Sequence, residues 1–213
     1  MKKVSVIMAS YLGNYANCGS NREKKFIRAV KSFINQSYPN KELIIVADGC
    51  TRTYEIYKEN WDNNPEVSCI IMNKQPTYSG NIRTEGLIEA TGDIISYLDN
   101  DDVIGKTHIE TIVNQFTDDV DLVYYDDYLV MSVDFKKLMK REVGPRYGSI
   151  GTSSITHRNK KDLNLLWPTG YGHDYIFLLS IASKGLKFKK LQNSPQYLVT
   201  HYGIMGQPGS GDF

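Results

Sequence analysis

The sequence is poor in cysteine, has no long hydrophobic run and carries no excess of either charge. Its cysteines, Cys18, Cys50 and Cys69, are widely spaced and lack the neighbouring thiol or histidine of a zinc finger. We therefore expect reduced, mainly structural thiols. The apolar runs are too short to cross a bilayer, and the opening Met-Lys-Lys leads into a strand-like segment rather than a signal peptide. These absences predict a cytoplasmic protein without a transmembrane span.

The charge is almost balanced, with 25 Lys and Arg against 24 Asp and Glu, a formal net charge of +1. So small a net charge gives no long-range attraction for polyanions, and we expect no nucleic-acid partner. Two basic pairs, Lys136-Lys137 and Lys140-Arg141, favour a solvated surface. The alternative is contact with anionic lipid or a diphosphate, which would place the protein peripherally at the inner face of a membrane.

The most informative stretch runs from Asp93 to Asp102. Its apolar, partly β-branched run predicts a buried strand, and the strand is followed by three carboxylates, Asp99, Asp101 and Asp102. Carboxylate oxygens are ligands that suit Mg²⁺ or Mn²⁺, and ligands of open α/β sheets bind beyond the carboxyl ends of strands. The alternative is a solvated acidic turn that caps the next helix.

The hydrophobic pattern before this stretch predicts alternating strands and helices. Strands are expected at residues 4–9, 42–47 and 67–72, and helices at residues 21–36, 54–61 and 82–90. Ser20 and Glu23 have the spacing of a capping box, and Gly92 is placed to end the third helix. This alternation predicts a parallel sheet with helices on its faces.

After Asp102 the pattern predicts a helix through Ile109 and Phe116 and a strand at residues 122–125. Residues 126–155 are expected to be irregular, with short strand-like pieces. A second helix is expected at residues 174–184, with strands at 186–190 and 197–200. The side chains of this helix that are predicted to face inward are Tyr175, Leu178, Leu179 and Ala182. No linker or repeat interrupts the chain, so residues 1–213 are expected to form one α/β domain.

Five segments in this order resemble family-two inverting glycosyltransferases. They are Val4 to Tyr11, Ser32 to Tyr38, Glu42 to Thr51, Arg83 to Asp93 and Leu98 to Asp102. The resemblance implies a GT-A fold, in which a Rossmann-like, mixed central β-sheet is flanked by helices. It also implies a nucleotide-sugar-binding half, about residues 1–105, and an acceptor-binding half, about residues 106–213.

The resemblance assigns the donor nucleotide to Ser10, Tyr11, Asp48, Arg83 and Asp99. Tyr11 would lie against the nucleobase, and Asp48 would accept a hydrogen bond from the base or ribose. Arg83 would bind the nucleotide as a rigid fork of donors, and Asp99 would contact ribose or water in the metal shell. The alternatives are a core or rim tyrosine at position 11, a turn aspartate at position 48 and a helix-surface arginine at position 83.

The resemblance also assigns the metal and the catalytic base. Asp101 would bind Mn²⁺ or Mg²⁺, which offsets the negative charge on the departing diphosphate. Independently of the resemblance, His201 follows a predicted strand, and its imidazole is a candidate ligand of the metal or the diphosphate. Asp174 is the candidate base, with a helix N-cap as the alternative. At position 173 the family more commonly has an acidic residue, whereas this sequence has His173.

Hydroxyl groups and an aromatic face suit contact with the sugar of an acceptor. Thr152-Ser153-Ser154 and Trp167 lie where such contacts are expected, although loop polarity and core packing explain them equally well. His157 is expected to be a structural histidine with satisfied hydrogen bonds.

The sequence therefore predicts a metal-dependent inverting glycosyltransferase. Its donor would be a nucleoside diphosphate sugar, most commonly a UDP-sugar, and its acceptor a hydroxyl of a carbohydrate or glycolipid in cell-surface polysaccharide or glycolipid synthesis. One alternative is a non-catalytic sugar-nucleotide-binding protein. Another is a nucleotidyltransferase, but the Gly-rich phosphate-binding loop expected just after its first strand is absent.

Overall fold

A computed structural model describes residues 1–15, 18–76, 78–132, 134–193 and 195–200. The strands in these ranges are β1 (Val4–Ser10), β2 (Lys41–Asp48), β3 (Val67–Met72), β4 (Ile94–Tyr97), β5 (Val103–Ile104), β6 (Leu122–Tyr124), β7 (Asp127–Val130), β8 (Leu138–Arg141), β9 (Ile155–Arg158), β10 (Phe188–Lys190) and β11 (Tyr197–Val199). The α-helices are α1 (Arg22–Ile34), α2 (Thr51–Trp61), α3 (Gly80–Glu89), α4 (His108–Val113) and α5 (His173–Ser183). Short 3-10 turns span Thr152–Ser154 and Lys161–Leu163.

The central sheet has seven strands in the order β10-β6-β9-β4-β1-β2-β3. Strands β4, β1, β2 and β3 are parallel, as the alternation of strands and helices predicted. Strand β9 is antiparallel to both of its neighbours, β4 and β6, so the sheet is mixed. Because β1, β2 and β4 are parallel neighbours, their carboxyl ends meet at one edge of the sheet.

Each face of the sheet is covered by helices. Along β1, Val6 and Met8 point to the face covered by α1 and α4, while Ile7 points to the face covered by α3 and α5. This alternation is the period of two expected of a strand buried on both sides. None of the helices in the described ranges is long and apolar enough to cross a bilayer.

A four-stranded sheet with the order β5-β11-β7-β8 lies beside the central one. Strand β5 follows directly after Asp102 and pairs with β11, with Ile104 opposite Tyr197. The pairing brings residues near 200 to the acidic stretch that follows β4. The strand-like pieces expected between residues 126 and 155 are confirmed as β7 and β8, which pair in this sheet.

Two predicted helix signals are wrong. Asn21, not Ser20, is the N-cap of α1, and it makes no side-chain capping bond. Glu23 instead forms an ion pair with Arg52 at 2.9 Å, so the predicted capping box does not form. Helix α3 ends before Gly92, whose absent Cβ would lie 2.6 Å from the Ser5 nitrogen. Gly92 therefore permits close approach to β1 rather than ending the helix.

The predicted inward face of α5 is also partly wrong. The buried side chains are Phe177, Leu178 and Ile181, whereas Leu179 is 47% exposed and Ala182 is also exposed. Most of this helix is apolar, so its sequence offers no clear polar face from which the periodicity could be oriented.

Candidate active site

The polar residues at the ends of the parallel strands line one cleft of about 750 Å³. Strands β1 and β2 end at Ser10 and Asp48, and the chain after β4 supplies Asp99. The predicted residues that the structure brings together in this main cleft are Ser10, Tyr11, Asp48, Arg83, Asp99 and Asp101. The cleft also contains Arg22, Lys74 and Tyr78, which sequence reasoning missed.

Asp48 is buried under a loop that follows β3. Its two carboxylate oxygens accept hydrogen bonds from Lys74 Nζ and from the Gln75 backbone nitrogen, both at 2.6 Å. The Lys74 ammonium also lies 4.5 Å from the centre of the Tyr11 ring. Gly49 has a φ of +60°, and a Cβ there would lie 2.7 Å from the backbone nitrogen of Lys74. Glycine is therefore needed for the close approach of the Lys74 backbone to Gly49.

The signal that could have found Lys74 is the register of the sheet. Asp48 pairs with Met72 at the end of β3, so the next residues after Met72 must pass beside Asp48. A lysine placed two residues after that strand is within reach of the carboxylate. The strand pattern alone does not reveal which residues of neighbouring strands are paired.

The acidic loop, residues 99–102, is held by backbone contacts. The Asp99 nitrogen donates to the Tyr197 hydroxyl at 2.9 Å, and Asp102 accepts from the Thr200 nitrogen at 2.8 Å. Arg28 Nη2 donates to the Asp101 carbonyl at 2.8 Å. The carboxylates are therefore not a solvated turn: Asp102 is fully buried, and Asp99 and Asp101 line the main cleft.

Arg83 is the centre of a hydrogen-bonded network. Its Nη2 donates to Asp99 at 3.0 Å, and its Nη1 contacts Ser79 and donates to His173 Nε2 at 3.0 Å. The guanidinium carbon lies 5.3 Å from the centre of the Trp167 ring. Only 6% of Arg83 is exposed, which rules out the helix-surface alternative.

His173 lies between this network and Asp174. His173 Nδ1 lies 3.0 Å from the Gly170 carbonyl, which can only accept a hydrogen bond, so Nδ1 carries the proton and Nε2 accepts from Arg83. The Asp174 carboxylate accepts from the Thr152 hydroxyl and lies 3.4 Å from His173 Nε2. Asp174 is in the first turn of α5 and Gly172 is the N-cap, so the alternative of an N-cap aspartate is wrong.

A second cavity, the polar pocket, has a volume of about 270 Å³ and adjoins the main cleft. The two cavities share Ser79, Arg83 and Asp99, and the polar pocket also reaches Asp174. Asp99 and Asp174, which are 75 residues apart in the numbering, therefore face the same space. This arrangement puts a possible metal-side carboxylate and a possible base on one cavity.

The residues considered for acceptor contacts have other partners. Trp167 is a core residue, since its indole Nε1 donates to Tyr97 and its ring stacks on Phe177 with centroids 4.0 Å apart. The Ser153 and Ser154 hydroxyls each donate to Asp127 at 3.2 Å. These findings favour packing and structural hydrogen bonds over sugar contacts.

His157 is structural, as predicted. It is buried, and its Nε2 and Nδ1 lie 2.8 Å from the Tyr97 hydroxyl and the Arg158 carbonyl. His201, the candidate second metal ligand, lies outside the described residues.

The donor set of the main cleft fits a hard divalent cation. Asp99 and Asp101 offer carboxylate oxygens, although the described residues contain no group of three His, Cys, Asp or Glu side chains that would hold an ion by themselves. Mg²⁺ usually keeps only one or two protein carboxylates and takes its other oxygens from phosphates and water. The residues therefore suit an ion shared with a diphosphate better than a site built from protein ligands alone.

Three comparisons connect this chain with known proteins. It is 34% identical over 117 residues to an uncharacterized glycosyltransferase of Haemophilus influenzae, covering 54% of this chain but 42% of that protein. It is 27% identical over 211 residues to WfaP of Escherichia coli, a UDP-Glc:alpha-D-GlcNAc-diphosphoundecaprenol beta-1,3-glucosyltransferase, covering 95% of this chain and 79% of that protein. The chain thus spans less than half of the Haemophilus relative.

The fold is similar to that of S. aureus TarS 1-349, solved in complex with UDP-GlcNAc. The TM-score is 0.73 at 19% sequence identity, with 99% of this chain and 61% of the TarS chain covered. This similarity confirms the predicted GT-A fold. The model of the family described as Glycosyl transferase family 2 matches residues 18–183, which is most of the sequence. The chain belongs to glycosyl transferase family 2.

Proposed function

We propose that this chain catalyses metal-dependent, inverting transfer of a sugar from a nucleoside diphosphate to a hydroxyl acceptor. The observation that carries the proposal is the continuity of the main cleft with the polar pocket. Along this path, Asp101 lines the main cleft, Asp174 lines the polar pocket, and Asp99 lines both. Inverting transfer needs this separation, because the leaving group and the attacking hydroxyl occupy opposite sides of the sugar carbon.

The donor nucleotide binds in the main cleft. Tyr11 offers a ring face for the base, a contact worth about 1–3 kcal/mol in comparable nucleic-acid sites. Asp48 accepts from the base or ribose, in exchange for one of its present donors, Lys74 and Gln75. Uridine is the base supported by the similar proteins, since TarS was solved with UDP-GlcNAc and WfaP is named for UDP-Glc.

Asp101 would hold a Mn²⁺ or Mg²⁺ ion beside the diphosphate, and Asp99 would contact the ribose or water in the metal shell. When bound, the ion supplies positive charge against the negative charge that grows on the departing nucleoside diphosphate. Arg83 orients Asp99 through its 3.0 Å hydrogen bond and adds a fixed positive charge at the boundary of the two cavities.

Asp174 acts on the acceptor. Its carboxylate takes the proton of the acceptor hydroxyl as the hydroxyl oxygen bonds to the anomeric carbon. The bond from that carbon to the diphosphate oxygen breaks at the same time, and its electron pair leaves with the nucleoside diphosphate. Thr152 donates to Asp174 and so orients the carboxylate for this transfer.

The acceptor is a carbohydrate or glycolipid hydroxyl, and the process is cell-surface polysaccharide or glycolipid synthesis. WfaP, whose name specifies a GlcNAc-diphosphoundecaprenol acceptor, supports this class. A polyprenyl-linked acceptor would bring a cytoplasmic enzyme to the inner face of a membrane. The neutral overall charge gives no reason to invoke nucleic acid.

Two carboxylate variants test the proposal because they should fail differently. Asp101→Ala should weaken Mn²⁺-dependent UDP binding in calorimetry and abolish both transfer and donor hydrolysis. Asp174→Asn should keep the UDP affinity and lower the transfer rate by about a hundredfold to ten-thousandfold, as expected for loss of a general base. Thermal unfolding with UDP, with and without Mn²⁺, gives an independent measure of binding to the folded state.

Three other outcomes of these experiments would contradict part or all of the proposal. Transfer by Asp174→Asn at the parental rate would place the base elsewhere. UDP binding without transfer in the parent protein would support the sugar-nucleotide-binding alternative. Release of pyrophosphate in place of nucleoside diphosphate would make the protein a nucleotidyltransferase.

A further inference from the structure

A third cavity, the tyrosine pocket, is formed mainly by Tyr147, Tyr171 and Tyr175 and has a volume of about 190 Å³. The Tyr147 ring meets the other two edge to face, with centroids 6.2 Å from Tyr171 and 6.1 Å from Tyr175. Tyr147 is 59% exposed and Tyr171 is 76% exposed. Large aromatic side chains grouped at the surface in this way are typical of a binding site.

The backbone of α5 is adapted to this group of rings. Gly172, the N-cap of the helix, has a φ of +78°, and a Cβ there would lie 2.6 Å from the Tyr147 ring. Glycine therefore both permits the left-handed turn and leaves room for the ring. The Tyr147 ring is packed against the start of the helix that carries Asp174.

The tyrosine pocket continues the path of the other two cavities. It shares Asp174 with the polar pocket, which in turn shares Arg83 and Asp99 with the main cleft. Tyr78 adds a ring between them, since it lines the main cleft and its centroid lies 6.4 Å from that of Tyr171. Asp174 is thus in the wall between the tyrosine pocket and the space next to Asp99.

We propose that the tyrosine pocket binds the sugar ring of the acceptor that carries the attacking hydroxyl. This inference rests on the proposed function, because it takes Asp174 as the base. A pyranose ring has apolar C–H faces and a polar rim, which match the apolar faces and hydroxyl groups of tyrosine. A hydroxyl on that rim reaches Asp174 from the side opposite the donor.

The chemistry of the pocket disfavours a charged group as its occupant. Among its described lining residues there is one carboxylate, Asp174, and no lysine or arginine. A phosphate at this position would meet negative charge without a counter-charge. The pocket therefore takes a neutral sugar ring, and any phosphate of a lipid-linked acceptor lies outside it.

Saturation-transfer NMR with octyl β-glycosides of glucose, galactose and N-acetylglucosamine tests this pocket without requiring turnover. We expect at least one of these probes to bind, and Tyr171→Ala to weaken its binding by about tenfold, the loss expected from one stacked ring. Tyr171→Phe keeps the ring and should bind nearly as well as the parent. Tyr54→Ala is the matched control, because Tyr54 pairs with Tyr57 on α2 and lines none of the three cavities.

UDP calorimetry on the same samples separates the two proposals. Retained UDP affinity in Tyr171→Ala, together with weakened glycoside binding, supports the acceptor pocket. If UDP binds but no octyl glycoside does, or if Tyr171→Ala binds the glycoside like the parent, the pocket assignment is overturned and the donor site stands. If glycosides bind through Tyr171 but UDP does not bind the parent protein, the proposed function fails instead.

Discussion

At the scale of a single residue, Arg83 lies at the boundary of the main cleft and the polar pocket and lines both. Its guanidinium reaches Asp99 with one nitrogen and Ser79 and His173 with the other, so it contacts both Asp99 and the neighbour of Asp174. Only a planar fork of donors can do this, because a lysine ammonium is a compact charge on a flexible stem. Replacing Arg83 with lysine therefore keeps the positive charge at this position but removes the planar arrangement of donors.

Arg83→Lys should lower turnover by about tenfold to a hundredfold while the protein remains folded. Loss of one hydrogen bond to a charged group costs about 1.5–3 kcal/mol, and lysine cannot keep the contacts with both Asp99 and His173. Steady-state kinetics with UDP-sugar and UDP calorimetry measure the effect.

The control for this substitution is Arg52→Lys on the surface. Arg52 pairs with Glu23 and Glu55 in exposed ion pairs, which contribute little. Its replacement should leave turnover within twofold of the parent. If Arg83→Lys turned over at the parental rate, the hydrogen bonds of Arg83 would not contribute to catalysis.

Part of the candidate site could be predicted from the sequence, because parallel strands end at one edge. Asp48 and Asp99 were identified from their positions after strand-like runs, and the structure places them in one cleft. Lys74 and Tyr171 were missed because each depends on how loops close over the sheet. Neither strand pattern nor composition contains that information.

At the scale of elements, the packing of α3 on β1 is limited by Gly86. A Cβ at this position would lie 2.4 Å from Ile7 Cγ2, in the middle of the sheet where Ile7 is 1% exposed. Cγ2 is a methyl group on the β-branched side chain of Ile7, which has little rotameric freedom and cannot move aside easily. The small residue sets the distance between helix and sheet.

Gly86→Ala should lower the free energy of unfolding by about 1–2 kcal/mol. Overpacking costs about 1–3 kcal/mol, and the better helix propensity of alanine offsets part of it. Urea unfolding followed by circular dichroism measures the change in midpoint.

Gly144→Ala is the matched control for this prediction. The nearest atom to a Cβ at Gly144 is 3.7 Å away, which is ordinary contact, so the free energy should change by less than about 0.5 kcal/mol. A Gly86→Ala protein as stable as the parent would show that α3 can shift away from β1.

The parallel strands of the central sheet were predictable and β9 was not, for a physical reason. The parallel strands are apolar on both faces and separated by amphipathic helices. Strand β9 is four residues long and buries Thr156 and His157, which hydrogen-bond to Ser96 and Tyr97 of β4. A buried strand whose polar groups are satisfied by its neighbour shows no hydrophobic pattern in its own sequence.

At the scale of the whole molecule, two buried histidines make stability depend on pH. His108 packs against Tyr125 and Tyr197 on one side of the sheet, and His157 against Tyr97 and Phe177 on the other. Burial lowers the pKa of His108 to about 3 and that of His157 to about 4, the latter opposed by the hydrogen bond to Arg158. Both rings are therefore neutral in the folded protein at pH 5.

Acidification from pH 7 to pH 5 should destabilise the protein by roughly 2 kcal/mol for each of these histidines. Their pKa in the unfolded chain is about 6.5, so below that pH the unfolded state binds more protons than the folded state and stability falls. The effect is absent above about pH 7.5. Urea unfolding at a series of pH values measures it.

His157→Gln should remove about half of this acid-dependent loss, because His108 remains. The variant and the parent should show the same slope of stability against pH above about pH 7.5, where neither histidine is protonated in either state. An unchanged slope between pH 7 and pH 5 in the variant would mean that His157 is not held neutral by the fold.

The hydrogen bonds that join Tyr197 and Thr200 to the acidic loop form late during synthesis of the chain, because both residues lie far beyond the loop in the sequence. Asp99 and Tyr197 are 98 residues apart, as are Asp102 and Thr200. A ribosome adds about 5–20 residues per second, so the loop waits roughly 5–20 s for these partners. Strands β1 to β4 have all emerged by then and can pair. We expect a ribosome-stalled chain that stops before Tyr197 to contain a paired sheet and to bind UDP poorly, because the acidic loop is not yet held in place.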